Sequence, residues 1–119
     1  MTEIQIKKRY DLEERTFKFA RRVREYVKRL PRTVSTIEDA KQIVRSSGSV
    51  GANYIEANEA LSKKDFVMRI KICRKEAKES RYWLNLLDAS DGLSREKAEL
   101  AQEAHELMSI FGAILKKAE

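Results

Sequence analysis

Asp11-Leu-Glu-Glu-Arg-Thr-Phe-Lys-Phe-Ala-Arg-Arg-Val-Arg-Glu-Tyr-Val-Lys-Arg-Leu30, closed by Pro31, decides the fold class of this chain. Leu12, Phe19, Ala20, Val23, Val27 and Leu30 return at intervals of three, four or seven, which gathers them on one side of a helix. Pro31 ends the helix, because the residue before a proline is pushed out of the helical region. A first helix over about 11–30 follows, with residues 1–10 as an N-terminal extension.

The same periodicity continues outward from this stretch. Ser35-Thr-Ile-Glu38 reads as a capping box, in which the serine hydroxyl and the glutamate carboxylate satisfy amide donors at the start of a second helix, about 35–60. Ile37, Ala40, Val44, Ser47, Gly51, Tyr54 and Leu61 are its expected inward positions. Glycine in mid-helix costs about 1 kcal/mol, so close approach of another helix is expected there to compensate. Ser62-Lys-Lys-Asp65 offers a cap for a third helix, about 63–89, with Phe66, Ile70, Cys73, Ala77, Leu84 and Leu87 on its core stripe. Ser94 is the expected cap of a fourth, about 94–117, buried through Ala101, Ala104, Leu107, Met108, Phe111, Ile114 and Leu115. Short links make neighbouring helices antiparallel, so the expected architecture is all-α, a single-domain up-down-up-down antiparallel four-helix bundle.

The totals agree with two-faced helices: 119 residues, 42% hydrophobic, 37% charged, and only four Gly and one Pro. No apolar run approaches the roughly 18 residues that would span a bilayer, and residues 1–10 lack a secretory signal's apolar segment, so the expected location is the cytoplasm. Cys73 is the only cysteine, which rules out an intrachain disulfide and a thiolate metal cage. It lies on the apolar stripe and reads as a small buried hydrophobe.

Charge is segregated. Residues 1–34 hold eleven Lys/Arg against five Asp/Glu, while residues 35–119 hold fourteen of each, so the whole net charge of +6 lies at one end. On the first helix Arg15, Lys18, Arg21, Arg22, Lys28, Arg29 and Arg32 fall within an arc of roughly 140° opposite the apolar stripe, with Glu25 inside it. Such a face can follow phosphates along a groove without reading bases. The competing reading is a solvated helix face.

Four blocks occur in order: Asp11–Phe17 with Phe19-Ala20, Gln42–Ala57, Ser62–Phe66 and Lys75–Leu84. Together they resemble the bacterial four-helix-bundle proteins encoded in intervening sequences of 23S ribosomal RNA genes, also labelled S23 ribosomal protein-like. The resemblance implies a ring-like homopentamer. It also implies kinship with the accessory variability determinant of diversity-generating retroelements, a basic pentamer that works with a reverse transcriptase and nucleic acid. Implied partners are therefore further copies of the chain, RNA or DNA, and a reverse-transcriptase-like protein.

Other constellations carry less. Ser46-Ser-Gly-Ser-Val-Gly-Ala52 resembles a phosphate loop in composition but lacks the Gly-x-x-x-x-Gly-Lys-Ser/Thr order and follows no strand. Arg45, Asn53, Glu56, Glu76, Glu79 and Arg81 suit ion pairs that fix helix register or subunit docking. A carboxylate di-metal centre needs Glu-x-x-His on two helices, and His105 is the only histidine. No acid or base is spaced to pair with it for hydrolysis. Tyr82 and Trp83 read as core or interface aromatics, with base stacking as the alternative. The expectation is a non-enzymatic homo-oligomer, without metal or cofactor, that binds nucleic acid through its first helix. Its rival is an assembly scaffold with no such affinity.

Overall fold

The structure, a computed structural model, describes residues 3–88 and 92–119, with side chains described from residue 11 onward. Four helices account for it: α1 (Glu3–Lys28), α2 (Val34–Asn58), α3 (Lys63–Leu86) and α4 (Ser94–Ala118). Each helix packs on its two neighbours around the bundle, α1 on α2 and α4, and α3 on α2 and α4; α1 and α3 lie diagonally opposite, with no Cα atoms within 8 Å of each other among the described residues. Directions follow from side-chain pairs. Glu13 meets Asn58 while Arg24 meets Val44, and Arg15 meets Glu103 while Arg29 meets Glu96, so α1 runs antiparallel to both neighbours. Val50 with Cys73 and Arg45 with Glu76 fix α2 against α3 in the same way.

Helix ends depart from the expected ones for local reasons. α1 begins at Glu3, so most of residues 1–10 belongs to the helix; no Gly or Pro stands between Glu3 and Leu30 to stop it. The cap of α2 is Thr33, not Ser35: Thr33 has extended backbone and its hydroxyl accepts from the Thr36 amide at 3.2 Å, which leaves Ser35 inside the first turn. Ser62 does cap α3, accepting from the Asp65 amide at 3.1 Å. The residue at the α4 cap is Leu93, and Ser94 is already helical. α3 stops at Leu86, where Leu87 turns extended; the expected end at 89 lies outside the described residues.

The core joins Phe19, Val23 and Tyr26 to Ile43, Val50 and Tyr54, Ile70, Leu84 and Leu87, and Leu100, Leu107 and Phe111. Tyr54 and Phe111 stack in a tilted pair with ring centroids 5.8 Å apart. The positions expected to face inward on α3 and α4 are buried, except that Phe66, Met108 and Ile114 are half-buried against the core; on α2 only Ser47 and Tyr54 of the expected seven are buried, and the stripe centres about one residue earlier. Thr36, Ile43, Ser46, Ser47, Val50, Tyr54 and Ala57 are buried, whereas Ile37 and Leu61 are exposed. Small polar residues go inside because each finds a partner. Ser46 and Ser80 share a hydroxyl hydrogen bond of 2.8 Å, and the Cys73 thiol donates to the Val50 carbonyl. Burial pushes the Cys73 thiol up to about 12 and leaves it without nucleophilic character.

The two mid-helix glycines of α2 both face α1, yet they differ. A methyl group at Gly51 would stand 3.0 Å from the Thr16 hydroxyl and 3.3 Å from its Cβ, and Thr16 is fully buried. At Gly48 the same atom meets only the guanidinium tip of Arg24, at 3.1 Å. The compensation for glycine is therefore close packing of α1 at Gly51. We expect Gly51→Ala to destabilise by about 1 kcal/mol, overpacking outweighing the gain in helix propensity, while Gly48→Ala stabilises by about 0.5 kcal/mol. Urea denaturation of both variants measures this; equal effects would refute it.

Candidate nucleic-acid interface

α1 presents its cations along a strip wider than one contact, and the strip divides. Arg15, Arg22 and Arg29, seven residues apart, lie on the edge nearest α4 and meet its carboxylates. Arg15 makes a fork, its Nε to Glu103 Oε2 at 2.8 Å and its Nη2 to Glu103 Oε1 at 2.7 Å, with Glu106 Oε1 at 3.0 Å from the same Nη2. The hydrogen bonding that Arg15 donates to Glu103 is the main reason its guanidinium is held more firmly charged than usual. Arg29 pairs with Glu96, and Arg22 stands 3.9 Å from Glu99. Further round, Lys18 pairs with Glu14 and Lys28 with Glu25, both within α1. Among the described residues Arg21 and Arg32 alone of the seven have no hydrogen bond or ion pair.

The polar residues expected to fix register fall into three groups. Arg45 on α2 spans Glu76 and Glu79 of α3, with Nη1 3.1 Å from Glu76 Oε2, although Glu76 is almost wholly buried. Partial burial pushes the Glu79 carboxyl up, but hydrogen bonds from Trp83 and Arg45 together outweigh it and hold the group below its ordinary value. This clasp is therefore formed at neutral pH and is lost as pH falls through that lowered value. Asn53 is held apart from it, donating to Ser49 and accepting from Arg69 Nη1 at 3.1 Å. Glu56 and Arg81 stand exposed at the surface.

The unpaired cations lie elsewhere. The exposed residues of α3 are Lys63, Lys64, Met68, Lys71, Arg74, Lys75, Lys78, Arg81, Tyr82, Asn85 and Leu86. None is acidic, and no described carboxylate lies within ion-pair distance of these lysines and arginines. These cations occupy an arc of about 120° and a length of roughly 27 Å. The signal was available in the sequence: it is the complement of the α3 core stripe. The even balance over residues 35–119 hid it, because Glu76 and Glu79 face α2 and the remaining acids belong largely to other helices.

His105 is half-buried on α4, and its Nδ1 has no hydrogen-bond partner among the described residues. No group of three His, Cys, Asp or Glu side chains there is placed to hold a metal ion. No described helix is long and apolar enough to cross a membrane.

The family description "23S rRNA-intervening sequence protein" matches residues 8–113 of this four-helix chain. The chain belongs to that family. A solved relative is a protein of unknown function from the S23 ribosomal protein family of Bacteroides thetaiotaomicron VPI-5482, 32% identical, with a TM-score of 0.78, covering 92% of this chain and 98% of its own. No curated protein matches the chain. Within this family fold Arg15, Arg22 and Arg29 face α4, and loss of the forked pair, at Arg15, should register as lost stability. For the half-exposed Arg15–Glu103 pair, side chains 38% and 21% accessible, a double-mutant cycle should give a coupling of about 1 kcal/mol after solvent screening. Arg22–Glu99 should give nearly none. Denaturant midpoints of the single and double alanine variants decide; no coupling at Arg15 would refute the ladder.

Proposed function

We propose that this member of the 23S rRNA-intervening sequence protein family is a non-catalytic, cytoplasmic module that binds RNA or DNA by phosphate contacts, through the outer face of α3. The observation that carries this is the run of exposed Lys and Arg on α3 with no acid among them. Lys71, Lys75 and Lys78 stand one helical turn apart in one line, so their ammonium groups present a row of positive charge to a backbone running beside the helix. Their attraction is to phosphate and carries no base information. The α1 cations contribute less, since five of the seven already face carboxylates. A membrane surface fits less well, because the exposed apolar side chains Met68, Tyr82 and Leu86 flank the cationic row and do not form a continuous apolar side to insert.

Replacing Lys71, Lys75 and Lys78 with Gln should lower affinity for RNA and DNA at least ten-fold at moderate salt. It should flatten the logarithmic salt dependence on duplex DNA by up to about three. The control Arg21→Gln, Arg32→Gln should change both less. Fluorescence polarisation across a salt series measures this. Unchanged affinity and slope in the triple variant, or binding confined to anionic vesicles, would overturn the reading.

A specific observation also favours assembly. Phe17 is 61% exposed, Ile55 52% and Ile37 39%. They border two grooves between α1 and α2, the larger about 800 Å³, whose apolar lining includes Val27, Pro31, Ala40 and Val44. An apolar strip of this kind suits contact between copies of the chain, in keeping with the homopentamer that the resemblance implies. The wild-type particle mass by light scattering should be a multiple of the monomer. Phe17→Glu should reduce it to monomer with the helix content intact; a monomeric wild type would refute self-assembly.

A further inference from the structure

We propose that Tyr82 is a stacking platform for an unpaired base, so that the polymer taken by the α3 face is single-stranded. The inference rests on the phosphate-binding reading above and specifies its substrate class. Tyr82 does not belong to the core: it is 59% exposed, and its side chain follows Lys75 by seven residues and Lys78 by four, on the same side of the helix. The ring is held in place. Its centroid lies 5.1 Å from that of Trp83, with the two planes at 80°, an edge-on contact of the kind aromatic quadrupoles favour.

Trp83 is itself fixed. It packs half-buried against the core, and its Nε1 donates to Glu79 Oε1 at 3.2 Å, while Glu79 also accepts from Arg45. A chain of contacts from α2 thus steadies an exposed aromatic ring at the end of a cationic row. That is the combination by which proteins hold single strands: cations along the backbone, and a ring on which a base lies. A duplex keeps its base faces within its own stack and has nothing to offer the ring, whereas phosphate contacts alone would serve both equally. Leu86, half exposed and four residues further on, extends the apolar floor beside the ring.

The test uses the full chain, a short unstructured oligoribonucleotide and the duplex made from it. Tyr82→Ala should weaken single-strand binding about ten-fold, within the range that loss of one stacked base produces. Duplex affinity and the salt slope should stay unchanged. Tyr82→Phe, which keeps the ring, should retain wild-type affinity. Trp83, the sole tryptophan, should report single-strand binding by a change in fluorescence that Tyr82→Ala diminishes.

If the protein binds single strands and duplex alike and Tyr82→Ala alters neither, the stacking inference fails while the α3 phosphate reading stands. If wild-type protein binds neither polymer, both fail. Circular dichroism of the variants confirms the fold, which an exposed ring does not support.

Discussion

The ion ladder between α1 and α4 governs how charge is distributed over this bundle. Arg15, Arg22 and Arg29 recur every seven residues, so the helix brings them to one edge, and α4 meets them in reverse order with Glu103 and Glu106, Glu99, and Glu96. Exposed pairs of this kind add little stability one at a time. Their effect is on what remains visible from outside. Once these guanidinium groups are neutralised locally, the charge they add to the sequence is no longer free to meet an anion from outside.

α3 shows the opposite arrangement. Its two central carboxylates, Glu76 and Glu79, turn toward α2 and meet Arg45, while Lys71, Arg74, Lys75, Lys78 and Arg81 around them turn outward with no described carboxylate within ion-pair distance. One helix therefore keeps its central acids at a helix–helix seam and, Arg69 apart, its bases in solvent. The seam also holds Trp83 through Glu79, which couples the rigidity of the α2–α3 packing to the exposed end of the cationic row.

The fold was legible because periodicity and punctuation are strong here: Pro31 and Ser62 mark real boundaries, and the expected stripes of α3 and α4 face the core. On α2 Ser47 and Tyr54 were read correctly, but Ile37, Ala40 and Val44 were preferred to Thr36, Ile43 and Ser46, because two small hydroxyls look less apolar than those three side chains. The small hydroxyls win the interior because they permit close approach and find hydrogen bonds across it, as Ser46 does with Ser80. Gly51 was correctly tied to a close helix contact, and Thr16 is the contact. The candidate site was less legible. A net charge summed along the chain does not know which carboxylate each cation will meet, and Arg15 meets its partner 88 residues away.

Position in the bundle then separates two surfaces. The apolar strip is built from residues of α1, α2 and the turn between them, whereas the cationic row is built from the outward residues of α3, so the two surfaces share no residue. Copies joined through the strip need not use the α3 row, so that the assembly proposed above would carry one such row on each copy. Binding at the first row then makes binding at the next an intramolecular event, which raises avidity without any new contact. On the proposed reading a single row with one stacking ring would give weak attachment, and repetition of that row in a closed assembly would be the physical route to a tight one.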